Sequence, residues 1–432
     1  MRTILSILAF FSLGGACAQE YVASYGLEAP RGALTVHPTA SSAAADTGAD
    51  NRYTTHLTKW ERNGNIFSTA FTVPFAWINR QVFFCLGQAS GEYEVRINGR
   101  KAAYNADGNA PASVNITKLV GEGRNLVEVI VSQPSPTAIL ESWRENPTPA
   151  IAGARIMSQP TMHIRDVLTR TRMSEDGDAA TEVAIVVKSD ALNPRTSRIC
   201  YDLLTPSGLT AATGYKEISL DMRREDTVRF LARIPKDSLW CAARPILYTL
   251  RLKTQHEGRY EEYVQMPLGF RSVAVEEQRM AINGEPVTLR MREIPATSSA
   301  DEIAALRKEG YNTFKLLPGP VSEPLLDSCD RWGLYVIAQA PIDTRRSGES
   351  RRVGGNPTND PQWKEAYMER TANCYHTTKR HPSVIGFSIA THSANGINLY
   401  ESYLNLKRYG DERPMIYRES GGEWNDDRVV LE

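Results

Sequence analysis

The hydrophobic grammar of this chain changes once, near Gly269-Phe270-Arg271, and that change restricts the fold more than any other feature. Before it, short runs of β-branched and aromatic residues alternate with polar ones between Gly, Pro, Asn and Asp clusters, the period-two pattern of half-buried strands. After it, amphipathic stretches alternate with short continuous apolar runs, the pattern of βα units around a parallel sheet or barrel. An all-β block followed by a βα block, in 432 residues, implies about two to four domains.

In the first block, Ile66 to Val73, Gln81 to Leu86, Tyr93 to Ile97 and Leu126 to Val131 read as strands of a sandwich. Asn98-Gly99 closes the third run and predicts a tight hairpin, because both residues tolerate positive φ. The small polar run 39–52 reads as a loop. After Pro160, Glu182 to Val187, Arg198 to Leu204, Thr227 to Ile234 and Leu247 to Leu252 have the spacing of an immunoglobulin-like sandwich. In the second block, Glu302 to Lys308, Leu325 to Trp332 and Trp363 to Thr378 read as helices. Thr313 to Leu317, Leu334 to Ala338 and Val384 to Ile389 read as buried parallel strands.

The first residues read as an export leader. Arg2 precedes an apolar core from Ile4 to Leu13, and Ala16-Cys17-Ala18 has the form of a cleavage site, so the mature chain is expected to begin near Gln19. Lipidation at Cys17 is the alternative, disfavoured by Gly14. The expected location is the periplasm, the outer membrane or the medium. No apolar run approaches the twenty or so residues that cross a bilayer. Fifty Lys+Arg balance fifty Asp+Glu, which gives no net attraction to nucleic acid or anionic lipid. Cys85, Cys200, Cys241, Cys329 and Cys374 show no CxxC spacing, and neither a metal cluster nor a cofactor-binding motif is read. Cys200 and Cys241 either pair in an oxidising compartment or, like the others, are small buried hydrophobes.

The ordered motifs carry a resemblance. Val95-Arg96-Ile97-Asn98-Gly99, Val114-Asn115-Ile116-Thr117 and Gly123 to Val129 resemble the jelly-roll domain of glycoside hydrolase family 2, the family of β-galactosidases, β-glucuronidases and β-mannosidases. Leu239-Trp240, Arg244 to Leu250, Gly269-Phe270-Arg271 and Ile282 to Val287 resemble its immunoglobulin-like domain and barrel entry. Leu326 to Val336, His381-Pro382-Ser383-Val384-Ile385 and Asp411-Glu412-Arg413-Pro414 resemble its barrel. The resemblance implies a jelly-roll β-sandwich at 19–158, an immunoglobulin-like β-sandwich at 159–272 and a truncated (β/α) TIM-type barrel at 273–432, after a leader at 1–18.

That family's chemistry needs two carboxyl groups about 5–5.5 Å apart in its retaining members. By the resemblance, the acid/base is the Glu of an Asn-Glu pair after the HPSVI strand. Here Thr391 stands at the Asn position and His392 at the Glu position, while Asn395-Gly396 still match beyond them. The nucleophile is expected several tens of residues further on. Forty residues follow His392, and the chain is expected to reach about the fifth barrel strand. Glu419 and Glu423 stand in that stretch outside the nucleophile's motif. Lys315-Leu316-Leu317-Pro318 lacks the family's histidine, and Gln339 replaces a strand-end acid.

The resulting expectation is an inactive relative with no catalytic residues and no cofactor. Gln339, Thr391, His392 and Trp424 are its candidate ligand contacts. Each has a plainer reading: a hydrogen-bonded structural histidine, a neutral replacement for a lost acid, an ordinary surface tryptophan. Trp332 and Trp363 are read as core more than as sugar platforms, and Arg345-Arg346 with Arg351-Arg352 as a mobile cationic loop. A partial barrel exposes strand edges. The expected partners are therefore an envelope protein or a second copy covering that edge, and a glycan. The alternatives are a glycoside hydrolase with altered chemistry and a non-hydrolytic carbohydrate-binding protein.

Overall fold

The computed structural model describes residues 21–431 apart from 146, 176 and 353; the leader and Cys17 lie outside the described residues. Asn98 and Gly99 both take positive φ, +51° and +77°. They join Tyr93–Ile97 to Arg100–Asn105 in an antiparallel hairpin, as the dipeptide demands. The hairpin belongs to a five-stranded sheet with Glu61–Asn63, Ile66–Val73 and Gly123–Val131. That sheet packs on a four-stranded one made of Thr54–His56, Arg155–Pro160, Arg80–Leu86 and Ala112–Asn115. Val95, Ile97, Val127 and Val129 point inward from one sheet and Val82, Phe84 and Ile156 from the other. Each such burial contributes roughly 1.5–3 kcal/mol. The run 39–52 is not all loop: Thr39 accepts the N–H of Ser42 and caps a helical turn at Ala40–Ala44. Ala-rich sequence behind a threonine cap is enough for one turn.

The second sandwich sets Met162–Met173, Ala179–Ser189 and Glu225–Ile234 against Thr210–Leu220, Arg195–Leu204, Tyr248–His256 and Arg259–Leu268. Ile185, Val187, Ile199, Leu250 and Leu252 fill its centre. All five described cysteines are free. Cys200 is thus a small buried hydrophobe in the strand Arg195–Leu204 and has no disulfide to Cys241.

The third unit is a parallel sheet in sequential order: β1 (Met291–Ile294), β2 (Thr313–Leu316), β3 (Tyr335–Gln339), β4 (Val384–Ser388) and β5 (Met415–Ile416). Its crossovers carry α1 (Ala300–Lys308), α2 (Glu323–Trp332), α3 (Lys364–Thr378) and α4 (Ile397–Lys407). Ser299 and Glu302 form a capping box on α1, and Gly333 ends α2 at φ +67°. A Cβ on Gly333 would lie 2.3 Å from the carbonyl oxygen of Ala242, so this glycine is fixed by conformation and by contact with the second unit. Below the sheet, Trp240 is fully buried and its indole donates to the Asp330 carbonyl at 2.8 Å.

The outer edge of β5 is covered by the chain itself. The N–H of Asp427 donates to Met415 O at 3.0 Å and its carboxylate accepts the N–H of Met415 at 2.7 Å. Val430 N–H bonds Gln278 O at 2.8 Å, and Val429 and Leu431 pack beneath the barrel with Trp240 and Ile282.

Candidate functional site

Beyond the C-terminal ends of β3 and β4 the chain forms a polar face, and the first sandwich reaches into it. Ser142 N–H donates to Asp343 O, Asp343 N–H to Leu140 O, and Thr391 N–H to Ile342 O, at 2.9–3.0 Å. Segments 140–142, 342–344 and 391 thus lie side by side. Thr391 is buried, and His392 is exposed with φ +45°. A left-handed histidine turns its side chain out of the direction the strand would have given it.

His392 is held on three sides. Its Nδ1 faces Arg345 Nη2 at 2.7 Å and Thr391 Oγ1 at 3.2 Å, and its N–H donates to Glu419 Oε1 at 3.2 Å. A guanidinium has only donors, so Nδ1 is the acceptor of the first contact. Arg345 is itself anchored by Asp343, a carboxylate with no exposed side-chain surface, through Nε at 2.9 Å and Nη2 at 2.6 Å. This contact raises the Arg345 pKa. Glu293 and Lys315 pair at 2.9 Å on the same face. Burial works to raise the Glu293 pKa, but the Lys315 bond and charge, helped by Arg418, carry it below the usual range.

The arginines of 345–352 are not a loose cationic loop. Besides Arg345, Arg346 donates to the carbonyls of Ala138 and Glu141 at 3.2 and 3.1 Å, and Arg351 pairs with Glu423 at 2.9 Å. Carbonyl and carboxylate acceptors, two of the three sets remote in sequence, fix three of the four. Asp343 belongs to no family motif, but it has a local one. Its signal is Asp-x-Arg, which recurs at Asp411-x-Arg413: in both, the acid accepts the N–H two residues on and grips that residue's guanidinium.

The structure brings Thr391 and His392 together and sets the other candidates apart. Gln339 is 1% exposed and lines a cavity of about 260 Å³ between the first sandwich and the α2–α3 layer, beside Asn109, Arg155 and Leu326. Neither Thr391 nor His392 lines that cavity. Gln339 Nε2 donates to Ala340 O at 2.8 Å, and its Oε1 has no partner among the described residues. Trp424 is 60% exposed and stands edge-on to Tyr400, ring centres 4.7 Å apart. Trp363 is core, beside Tyr21, and Trp332 packs against the barrel core.

A deeper network ties the first sandwich to the barrel. Arg370 on α3, 1% exposed, donates to Glu141 Oε1 at 2.7 Å and to Pro341 O at 3.0 Å, and lies 3.8 Å from Asp107. Burial opposes the Arg370 charge, but Glu141 and Asp107 outweigh it and raise its pKa. This cluster places segment 140–142 where it meets Asp343.

Two sequence profiles match the chain: "Glycosyl hydrolases family 2, TIM barrel domain" over residues 273–431 and "Glycosyl hydrolases family 2" over residues 162–271. The β-galactosidase of Priestia megaterium is 26% identical over 387 residues, covering 83% of this chain and 37% of that protein. The β-galactosidase of Yersinia enterocolitica is 26% identical over 383 residues, covering 82% and 36%. The chain thus spans little more than a third of these relatives. Among solved structures, Bacteroides uniformis β-glucuronidase superposes with a TM-score of 0.69 at 16% identity, over 90% of this chain and 52% of that one. A family 2 member from Bacteroides cellulosilyticus gives 0.66 at 16%, over 82% and 49%. These structural matches share the fold.

Proposed function

From the premise that this chain belongs to glycosyl hydrolases family 2, we propose that it binds without hydrolysing and serves as a binding or assembly subunit of the cell envelope. The observation that carries the reading is Arg345 on Nδ1 of His392. The family's mechanism asks for a protonated carboxyl group at this position, ready to donate to the leaving oxygen. Here the position holds an imidazole nitrogen whose lone pair is taken by a guanidinium. With Nδ1 accepting, the one N–H of the neutral ring is at Nε2, so the position offers an imidazole and no carboxyl group. A fixed positive charge beside it also opposes the cationic transition state of glycoside cleavage. The names of the relatives support a carbohydrate as the ligand, and the leader read at 1–18 supports the envelope.

The experiment is gentle extraction of the tagged full chain from its own cells, with its native mass and co-migrating chains identified. A discrete complex, or retention on immobilised β-linked glycans, is expected. A lone monomer that retains no glycan would overturn the reading.

A second reading, hydrolysis with altered chemistry, draws on the carboxylates of Glu419 and Glu293 lying on the same face. His392→Glu separates the two. Activity created by that single change would require a nucleophile already in place.

A further inference from the structure

Glu323, Asp327 and Asp330 are spaced i, i+4 and i+7 on α2, which puts all three on one helix face. That face meets the turn before β4, where His381 is 2% exposed. Asp330 Oδ2 lies 2.7 Å from His381 Nδ1, and Asp330 Oδ1 accepts the N–H of Ser383 at 3.0 Å. The ring is therefore held from behind by a carboxylate, the arrangement that orients histidine ligands toward metals. Its other nitrogen, Nε2, is buried and faces Glu323 Oε1 at 3.4 Å, an ion-pair contact too long and bent to satisfy it as a hydrogen bond. Asp327 has neither an ion pair nor a hydrogen bond among the described residues. One ligand atom from each of Glu323, Asp327 and His381 lies within 4.8 Å of the other two.

We propose that Glu323, Asp327 and His381 form a site for a divalent cation of the zinc class. One imidazole nitrogen with two carboxylate oxygens suits zinc and its first-row neighbours, whereas calcium takes oxygen ligands alone and magnesium keeps most of its water. Donors around one zinc stand about 3.3 Å apart, from metal–ligand distances near 2.0–2.2 Å. The three ligand atoms already lie within 4.8 Å of one another, and rotation of Glu323 and Asp327, both half-buried on the helix, would bring them to the zinc spacing. Arg380 competes for one oxygen, donating to Glu323 Oε1 at 2.9 Å. The other oxygen, Oε2, remains for the ion. A water completes four-coordination. The ion would staple α2 to the segment that leads into β4, the strand after which the chain reaches Thr391-His392. Glu323 and Asp327 are one helical turn apart, but His381 lies 54 residues beyond Asp327, so no local spacing motif announces the full set.

The test is equilibrium dialysis of the full chain against zinc, with metal content counted and the thermal midpoint read with and without the ion. One equivalent is expected, with a raised midpoint. Asp327→Asn is expected to weaken retention at least tenfold and to abolish the midpoint shift, while its metal-free midpoint matches the wild type. Glu323→Gln is expected to weaken retention likewise, with a lower metal-free midpoint because it also loses the Arg380 pair. A wild-type chain that retains no stoichiometric zinc, or an Asp327→Asn chain that binds as the wild type does, would overturn the site.

Discussion

One nitrogen of Arg345, Nη2, reaches both Asp343 Oδ2 at 2.6 Å and His392 Nδ1 at 2.7 Å. A fully buried acid thus fixes, through one arginine, the orientation of an exposed histidine at the strand end. The bidentate grip on Asp343 is the strong half of this relay, since charge-assisted pairs exceed bonds to neutral acceptors.

His392 itself is strained. A left-handed backbone costs a non-glycine residue about 1 kcal/mol, and His392 has φ +45°. His392→Ala and His392→Gly lose the same Arg345 contact, but only glycine relieves the backbone. The glycine variant is expected to be the more stable of the two by about 1 kcal/mol, read from paired denaturant midpoints. Equal midpoints would show that the conformation carries no strain.

Arg370→Met is expected to cost about 3–5 kcal/mol, because it leaves Glu141 and Asp107 buried without their cation. The loss should appear first between the first sandwich and the barrel. Limited proteolysis should then cut within 132–150, around the segment that Arg370 positions, before it cuts the sheets.

Glu262 links stability to pH. It is wholly buried in the strand Arg259–Leu268, and burial pushes its carboxyl up to about 7 against hydrogen bonds from the Ile164 N–H and Gln159. An acid raised in the folded state holds its proton there when the unfolded chain, near 4.5, has lost it. Its contribution is complete below about 4.5 and is lost as pH rises through about 7. Glu262→Gln should flatten that slope and gain up to about 3 kcal/mol relative to wild type at pH 8. Chemical denaturation from pH 4 to 8 reads this directly, and parallel slopes would contradict it.

Much of the fold is legible in the chain because strong local signals agree with tertiary burial. Asn98-Gly99 is a turn wherever it stands between alternating strands, and Gly333 stops α2 as a left-handed cap. The strand Thr210–Leu220 escapes such reading because its alternation is weak: most of its side chains are exposed at the edge of its sheet. Thr391 and His392 are found by position against HPSVI, yet what holds them is not. Asp343 and Arg345 act on a residue 47 positions away from the arginine, and long-range pairing of this kind leaves no period in a sequence. Gln339 is found for the same reason as His392, and the structure assigns it to a different cavity. Strand ends that follow one another in sequence need not share one opening.

The most direct test is hydrolysis of aryl β-galactoside and β-glucuronide by the purified full chain, followed to long times and compared with His392→Ala. No release above the buffer rate is expected from either protein. Turnover by the wild type that disappears in His392→Ala would show that His392 works as an acid after all, and would contradict the non-hydrolytic account.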